Sequence, residues 1–402
     1  MKFFIINSGS SSIKYQVIEM ADESVLATGL VERIGEDRGR LRNTAFPGTG
    51  HEQEAVIEQP IPDHRSGMLL AIATLTDRDK GVIRQASEID AIGHRVVHGG
   101  EDFRGSMRIT AAVIEVLRHN IPLAPLHNPA NLDGIRVARE IFPEVPQVAV
   151  FDTAFHQTMP PRAYLYAIPY ALYQTDRVRR YGFHGTSHRF VAGECARLLD
   201  RPLSACNLIT IHLGNGCSIT AIENGHSVDT SLGMTPLEGL VMGTRSGDVD
   251  PALHLFLKQN KGMGLEAIDD LLNKESGLKG LCGMNDMRDI HRAAGAGDVR
   301  ARLAVEVQTY RIRKYIGAYM AVLGRVDAIV FTAGIGENDP IVRAESLKGM
   351  EPFGVRLDPE RNRLRDRDAR RISAPDSAIQ VWVIPTNEEL AIAREMARVL
   401  RD

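Results

Sequence analysis

A strand, a turn and a second strand occur together twice in the chain, and this repeat constrains the fold more than any other feature. The first copy covers residues 3–18, where an apolar run is followed by a small polar turn rich in Gly and Ser and by an alternating strand. The second copy covers residues 208–222 and has the same order. Ser11 is matched by Cys217, an offset of 206 that is close to half of the 402 residues. We interpret the pair as a weak internal duplication.

Helical patterns alternate with short apolar runs along the rest of the chain, which predicts an α/β protein. Two α/β lobes with a cleft between them fit this order best. The charged stretch over residues 36–62 is expected to be a surface excursion of loop or short hairpins. The predicted helices cover 111–120, 131–141, 187–199, 301–323 and 388–400, and further buried strands cover 91–97, 148–151, 328–331 and 379–384.

Composition excludes several classes of partner. Lys and Arg number 48 and Asp and Glu number 51, so the net charge of −3 gives no broad basic surface for nucleic acid or anionic lipid. No segment reaches the roughly 18 consecutive apolar residues of a membrane span. The four cysteines are widely spaced and are interpreted as reduced thiols, which predicts a cytoplasmic protein. They are Cys195, Cys206, Cys217 and Cys282.

Three Gly-rich turns follow separate apolar strands, at residues 7–12, 214–218 and 334–338. Small residues allow backbone N–H groups to converge on a phosphate, and several such turns at strand ends are typical of nucleotide sites in α/β folds. None of the three has the P-loop pattern or the dinucleotide-binding glycine pattern. Asp339 and Pro340 follow the third turn and predict the start of a helix.

Two arginines lie in glycine-framed segments. Arg95 is in a mostly apolar strand that ends at Gly99 and Gly100, and Arg245 is flanked by residues too small to cover it. A guanidinium keeps its charge when it is buried, so each needs a carboxylate or phosphate partner. Either arginine could form a structural ion pair, but together they favour an anionic reaction centre.

His184 and His188 are four residues apart, a spacing that can ligate a metal on one helix. A predicted helix start near Thr186 or Ser187 argues against that arrangement. The alternatives for His184 are a hydrogen bond to an oxyanion and a purely structural role. Asp152 and Glu388 follow strand ends and are the candidate carboxylates for Mg²⁺, which prefers oxygen ligands.

Together these motifs resemble the acetokinase family, in the superfamily that also contains sugar kinases, actin and the heat-shock 70 ATPases. The resemblance implies an α/β fold of two duplicated ribonuclease-H-like, actin-like ATPase domains with a central cleft. It implies an N-terminal lobe over residues 1–154, on which the C-terminal helix 389–402 packs back, and a nucleotide-binding lobe over 155–388. The matching segments are 7–14, 93–100, 180–188, 212–216, 243–248, 334–338 and 386–389.

The same resemblance implies reversible phosphoryl transfer from ATP to acetate, with ADP as product, Mg²⁺ or alternatively Mn²⁺ as the metal, and a homodimer. The implied catalytic residues are Asp152, His184 and Arg245, and the implied metal ligands are Asn7 and Glu388. The implied substrate-binding residues are Arg95, Val97, Leu126, His127, Phe183 and Pro236. The implied nucleotide-binding residues are Lys14, His212, Leu213, Gly214, Asn215, Gly216, Asp286, Met287, Arg288, Gly334, Ile335, Gly336, Glu337 and Asn338.

Acetate is ionised at neutral pH, so the nucleophile needs no general base. We therefore hypothesise that Asp152 orients an arginine or a metal-bound water. Val97 bears on acyl preference, because propionate-preferring relatives tend to carry a smaller residue there. Cys282 stands where the family usually has Ser, and one residue is missing before Asp286, which leaves the phosphoryl donor open. The alternatives are a propionate or other short-chain acid kinase, an actin-like nucleotide switch and a zinc hydrolase.

Overall fold

The computed structural model describes residues 1–125 and 127–401. The chain forms two compact units. Unit 1 comprises residues 1–154 together with 387–402, and unit 2 comprises residues 155–386. Unit 1 is therefore built from both ends of the sequence.

Strands and helices alternate in both units. The strands are β1 (Lys2–Ser8), β2 (Ser12–Glu19), β3 (Ser24–Glu32), β4 (Gly39–Ala45), β5 (Gln53–Gln59), β6 (Ile89–Val96), β7 (Met107–Arg108), β8 (Gln147–Phe151), β9 (Asn207–Leu213), β10 (Cys217–Glu223), β11 (His226–Thr230), β12 (Ala328–Thr332), β13 (Arg370–Arg371) and β14 (Gln380–Val383). The helices are α1 (His64–Leu75), α2 (Ala111–His119), α3 (Asn128–Ile141), α4 (Pro161–Tyr164), α5 (Ala171–Asp176), α6 (Gly185–Leu198), α7 (Leu253–Lys261), α8 (Leu265–Lys274), α9 (Gly277–Cys282), α10 (Met287–Gly295), α11 (Val299–Leu323), α12 (Ala333–Asn338), α13 (Pro340–Leu347), α14 (Pro359–Arg363) and α15 (Glu388–Val399).

The sheet of unit 1 has the order β5-β4-β3-β2-β1-β6-β8-β7. Strands β1 to β5 form an antiparallel meander, whereas β6 and β8 run parallel to β1. Strand β1 is apolar on both faces because both faces are covered. Phe4 packs in the cluster that includes α1 and α3, and Phe3 packs in the cluster that includes α15. A Cβ at Gly93 would lie 2.3 Å from Met396 Sδ, so glycine is required where α15 contacts β6.

The sheet of unit 2 has the order β11-β10-β9-β12-β14-β13 and repeats the plan of unit 1. Strands β9 to β11 are antiparallel, β12 and β14 run parallel to β9, and the two-residue strand β13 is antiparallel at the edge. Unit 1 has the same order and directions of strands as unit 2 in the part of its sheet formed by β1 to β3, β6, β8 and the two-residue β7. The predicted duplicated α/β fold is confirmed.

Some element boundaries differ from the predictions. Residues 36–62 contain the β4–β5 hairpin, which extends the main sheet. Buried residues alternate with more exposed ones along β4, and Leu41 is fully buried. Helix α3 begins three residues earlier than predicted, with Pro129 in its first turn. Helix α6 begins at Gly185, close to the predicted start. Within the described residues, no helix has the length and apolar character needed to cross a membrane.

Candidate active site

In unit 1, Arg95 and Asp152 form a buried pair at the carboxyl ends of two neighbouring parallel strands. Arg95 is on β6 opposite Val150 of β8, and Asp152 follows β8 directly. Arg95 Nε donates to Asp152 Oδ1 at 3.1 Å, and Arg95 Nη2 donates to Asp152 Oδ2. The geometry is bidentate, which fixes the plane of the guanidinium. This arrangement supports the hypothesis that Asp152 orients an arginine.

A second carboxylate lies close to the same guanidinium. Glu388 Oε2, in the first turn of α15, is 3.7 Å from Arg95 Nε. Burial acts to lower the pKa of Arg95, but the charges of Asp152 and Glu388 outweigh it and raise that pKa above its ordinary value. Arg95 is therefore a permanent cation held between two acidic groups.

Two asparagines of α3 position the chain beyond Arg95. Asn131 Oδ1 accepts from the Val97 backbone N–H at 3.0 Å, and Asn131 Nδ2 donates to the Ser8 carbonyl at 2.8 Å. Asn128 Oδ1 accepts from the His98 backbone N–H at 3.3 Å. Asn131 therefore connects the first Gly/Ser turn to the segment of Val97. Sequence reasoning missed both asparagines, although two buried polar residues three positions apart on an amphipathic helix are a usable signal.

Three more residues were expected in the substrate pocket: Val97, Leu126 and His127. Val97 is 9% exposed. His127 is exposed directly before α3. Leu126 lies outside the described residues.

The first turn and the start of α15 bring several polar groups of unit 1 together. Asn7 and Lys14 are directly opposite in the β1–β2 register. Lys14 Nζ is 2.5 Å from Glu389 Oε1, in an exposed ion pair. Asn387 caps α15 by accepting from the Leu390 N–H, which places Glu388 and Glu389 in the first turn.

In unit 2, His184, Arg245 and Gly216 lie close together. A Cβ at Gly216 would be 3.2 Å from Arg245 Nη2 and 3.4 Å from His184 Nε2, so glycine permits both side chains to approach this turn. His184 precedes α6 with a φ of 57°, a left-handed conformation that is uncommon outside glycine and concentrated at functional sites. Arg245 Nη1 donates to the Pro236 carbonyl at 2.7 Å.

The charge of Arg245 has no compensating carboxylate. Burial lowers its pKa, and only the Cys217 thiol acts in the opposite direction. Among the described residues, none forms an ion pair with Arg245. A half-buried guanidinium without a counter-charge among the described residues is a candidate anion site, since its desolvation is otherwise uncompensated.

A set of buried hydroxyls joins the histidines of unit 2. Ser218 Oγ is 2.8 Å from His184 Nδ1 and 2.7 Å from His188 Nε2, and His188 Nδ1 is 2.7 Å from Thr210 Oγ1. Both ring nitrogens of His188 are therefore engaged, which opposes the zinc interpretation. Within residues 1–125 and 127–401, no group of three or more His, Cys, Asp or Glu side chains could hold a metal ion.

His212 lies on the other side of His184. Their rings stack with centroids 4.2 Å apart, and His212 Nδ1 is 2.9 Å from Ser187 Oγ. The backbone N–H of Gly243 donates to the Asn215 carbonyl at 3.1 Å, which attaches the segment of Arg245 to the turn 214–216. The predicted residues His184, His212, Gly216 and Arg245 are thus brought together. The hydroxyl partners were missed, because single serines distant in sequence give no pattern.

The third Gly-rich turn is the short helix α12, directly after β12. Glu337 Oε1 accepts from the backbone N–H groups of Ala333 at 2.8 Å and Thr386 at 3.1 Å. Arg343, only 1% exposed, donates to the carbonyls of Gly336 at 2.9 Å and Glu337 at 3.0 Å. As predicted from its pairing with Pro340, Asp339 caps the next helix, α13.

The segment 286–288 starts α10. Asp286 caps this helix, and its hydrogen bonds to the Arg288 side chain and backbone lower the pKa of Asp286 to about 2. The Arg288 side chain, expected at the nucleotide, is exposed. Phe183, expected in the substrate pocket, is buried and directly precedes His184.

Comparison with known proteins gives one family. Residues 2–394 match the model of the acetokinase family. The chain is 62% identical to the acetate kinase of Desulfotalea psychrophila over the full length of both chains. It is similar to the crystal structure of Porphyromonas gingivalis acetate kinase, with a TM-score of 0.95 and 45% identity over 99% of both chains. It is also similar to a propionate kinase from Francisella tularensis, with a TM-score of 0.91 and 42% identity over 98% of both. The resemblance deduced from the motifs is confirmed, and the chain belongs to the acetokinase family.

Proposed function

We propose that the chain is an acetate kinase, which transfers the γ-phosphoryl group of ATP to a carboxylate oxygen of acetate and forms acetyl phosphate and ADP reversibly. As a member of the family, the chain is a kinase that uses ATP and ADP as co-substrates. The observation that carries the proposal is Arg245, a partly buried cation beside His184 and Gly216 that has no counter-ion among residues 1–125 and 127–401. Such a group suits a phosphoryl group that carries spread negative charge.

The acceptor is already a nucleophile. A small carboxylic acid has a pKa of about 4, so acetate is ionised at neutral pH and needs no general base. Arg95 binds the acetate carboxylate, and Asp152 keeps the guanidinium in one orientation. Val97, Leu126, His127, Phe183 and Pro236 are the residues we assign to the acyl pocket.

The phosphoryl group meets Arg245 and His184. Both donate hydrogen bonds to its oxygens, which reduces the repulsion between an anionic nucleophile and a polyanionic donor. No covalent enzyme intermediate is needed, because positioning and charge neutralisation account for most catalysis of phosphoryl transfer.

The nucleotide is assigned to three segments of unit 2 and to Lys14. These are the turn from His212 to Gly216, the cap of α10 from Asp286 to Arg288, and the helix α12 from Gly334 to Asn338. The Gly-rich segments allow backbone N–H groups to approach phosphates.

Asn7 and Glu388 fit a Mg²⁺ site, with Mn²⁺ as an alternative. An amide oxygen and a carboxylate are hard ligands, and Mg²⁺ is normally bound by one or two protein groups together with phosphates and water. When bound, Mg²⁺ neutralises charge on the phosphate oxygens.

Propionate is the second candidate acceptor, because a relative at 42% identity is a propionate kinase. A hydroxamate assay for acyl phosphate, with ATP and Mg²⁺ and with acetate, propionate or butyrate, separates the candidates. The proposal requires acetate to give the highest kcat/KM. ATP hydrolysis that is indifferent to acetate would instead favour an actin-like nucleotide switch.

A homodimer is part of the proposal. Helix α7 has no buried residue, and its Leu255 and Phe256 are 56% and 53% exposed, so a second copy would cover these two apolar side chains. Sedimentation at several concentrations tests it, with a monomer at all concentrations as the contrary result.

A cytoplasmic location is also proposed. The cysteines of the described residues are free, and burial raises the pKa of the Cys195 and Cys217 thiols to about 12. Inert, reduced thiols suit that compartment.

A further inference from the structure

We propose that Ser218 and His188 act as positioning residues that hold His184 in the tautomer with its proton on Nε2, so that neutral His184 donates a hydrogen bond to the phosphoryl group. This inference rests on the proposed function. It concerns two fully buried side chains to which the sequence analysis assigned no positioning role.

The starting point is the environment of His188. Its ring is completely buried on α6, and burial, together with the charges of His156 and His212, lowers the pKa of His188 well below its ordinary value. His188 is therefore neutral and carries one ring proton.

Ser218 has one hydroxyl proton, two acceptor lone pairs and two imidazole partners, so three arrangements of its hydrogen bonds are possible. In the first, His188 Nε2–H donates to Ser218 Oγ, Ser218 O–H donates to His184 Nδ1, and His184 carries its proton on Nε2. In the second, every donor is reversed. In the third, both imidazoles donate to Ser218 Oγ, and the hydroxyl proton points away from them. In the second and third arrangements, neutral His184 presents a lone pair at Nε2.

Only the first arrangement suits an anion next to Arg245. His184 Nε2 and Arg245 Nη2 converge on Gly216, so a lone pair at Nε2 would repel the oxygens that Arg245 attracts. A positively charged His184 would also donate, but it would place a second cation beside a guanidinium that has no counter-charge. The first arrangement provides a hydrogen-bond donor at Nε2 without a second positive charge beside Arg245.

The ionisable groups that face His184 come from several elements. They are His188 on the same helix, His212 on β9, Arg245 with Cys217 beside it, and His156 behind His188 at a ring distance of 5.8 Å.

The test is the pH dependence of kcat in Ser218→Ala. At about pH 8 we expect kcat to fall about 10- to 100-fold, the range for losing a partner that orients a functional imidazole. Without Ser218, the proton of His184 is no longer held on Nε2. Protonation of His184 at lower pH restores an Nε2–H, so the deficit relative to the unsubstituted enzyme should shrink as the pH falls. A parallel fall at all pH values, or an unchanged kcat, would overturn the proposal.

Two matched variants and a control separate orientation from packing. His188→Gln keeps an N–H donor near the position of Nε2 and should retain most of the kcat that His188→Leu loses. Thr220→Val removes a buried hydroxyl from the same strand, where Thr220 bonds Thr230 rather than a histidine, and should keep the pH profile of the unsubstituted enzyme. Equal loss in both His188 variants would contradict the proposal.

A direct readout does not depend on activity. Nitrogen-15 spectra of the histidine-labelled enzyme, with His184 assigned by comparison with His184→Asn, should report an unprotonated Nδ1 and a protonated Nε2 at about pH 7.5. A proton on Nδ1 would refute the tautomer. If the enzyme formed no acyl phosphate while the spectra showed Nε2–H, the proposed function would fail and the tautomer assignment would stand.

Discussion

Replacing either of the two arginines that we assign to the active site, Arg95 or Arg245, with methionine should greatly reduce activity, but the two replacements should affect stability differently. Arg95 forms a bidentate pair with Asp152, whose side chain is 2% exposed. Arg95→Met leaves that carboxylate buried without its main partner, which costs about 3 kcal/mol of unfolding free energy or more. Arg245 has no such partner in the part of the chain that the structure describes.

Arg245→Met removes two contributions to the unfolding free energy, and these have opposite signs. It loses the hydrogen bond to the Pro236 carbonyl, which is worth about 1 kcal/mol, but it also removes the desolvation cost of an uncompensated guanidinium. These contributions are of similar size, so the unfolding free energy should change by less than about 1 kcal/mol. Acyl-phosphate synthesis should fall by about 10³-fold or more in each variant, as for other charge-stabilising groups in phosphoryl transfer.

Urea unfolding measures the contrast, with far-UV circular dichroism following both units. Fluorescence of the single tryptophan, Trp382, reports only on unit 2. The control is Arg95→Met combined with Asp152→Asn, which removes the stranded charge and should recover most of the lost stability without recovering activity. Equal destabilisation by the two single substitutions, or no recovery in the combined variant, would refute the reasoning.

Three further predictions concern specificity, pH and the exposed lysine. Val97→Ala should raise kcat/KM for propionate relative to acetate by about tenfold in the hydroxamate assay, because it makes room for one more methylene; an unchanged ratio would remove Val97 from the pocket. Burial lowers the pKa of His94 and His156 to about 4, so as pH falls from about 6.5 to about 4 only the unfolded chain takes up these protons. The unfolding free energy should then fall by about 1.4 kcal/mol per pH unit for each histidine, and urea midpoints that stay constant over this range would contradict it. Lys14→Met should change stability by less than about 1 kcal/mol, because its pair with Glu389 is exposed, yet should raise KM for ATP; a normal KM would exclude Lys14 from the nucleotide site.

The sequence predicted those features of the fold that have local periodicity or a cap. The two strand–turn–strand units are the hairpins β1–β2 and β9–β10, because alternating apolar runs separated by small residues have few other solutions. The cap at Asp339 followed from a residue type that satisfies free N–H groups. Helix α6 begins one or two residues before its predicted start, and its N-cap residue His184 makes no side-chain cap bond.

Features that depend on distant contacts could not be predicted. Strands β7 and β13 have two residues each and exist only through pairing with a neighbouring strand. In the candidate site, Asn131 and Ser218 bond backbone or ring atoms far away in sequence, and the sequence does not reveal which atoms these partners are. The arginines were found because a buried guanidinium in a Gly-rich setting is rare, but the contrast between paired Arg95 and unpaired Arg245 needed coordinates.

The return of residues 387–402 to unit 1 has a consequence for biosynthesis. Unit 2 is continuous in sequence and can fold as it leaves the ribosome, whereas the sheet of unit 1 must wait, with the β6 surface around Gly93 uncovered, until α15 has been translated. Most of unit 1 is thus translated first, yet unit 1 is completed last. Arg95 gains its neighbour Glu388 in that final step, so a nascent or C-terminally truncated chain carries an incomplete unit 1 with an aggregation-prone apolar face.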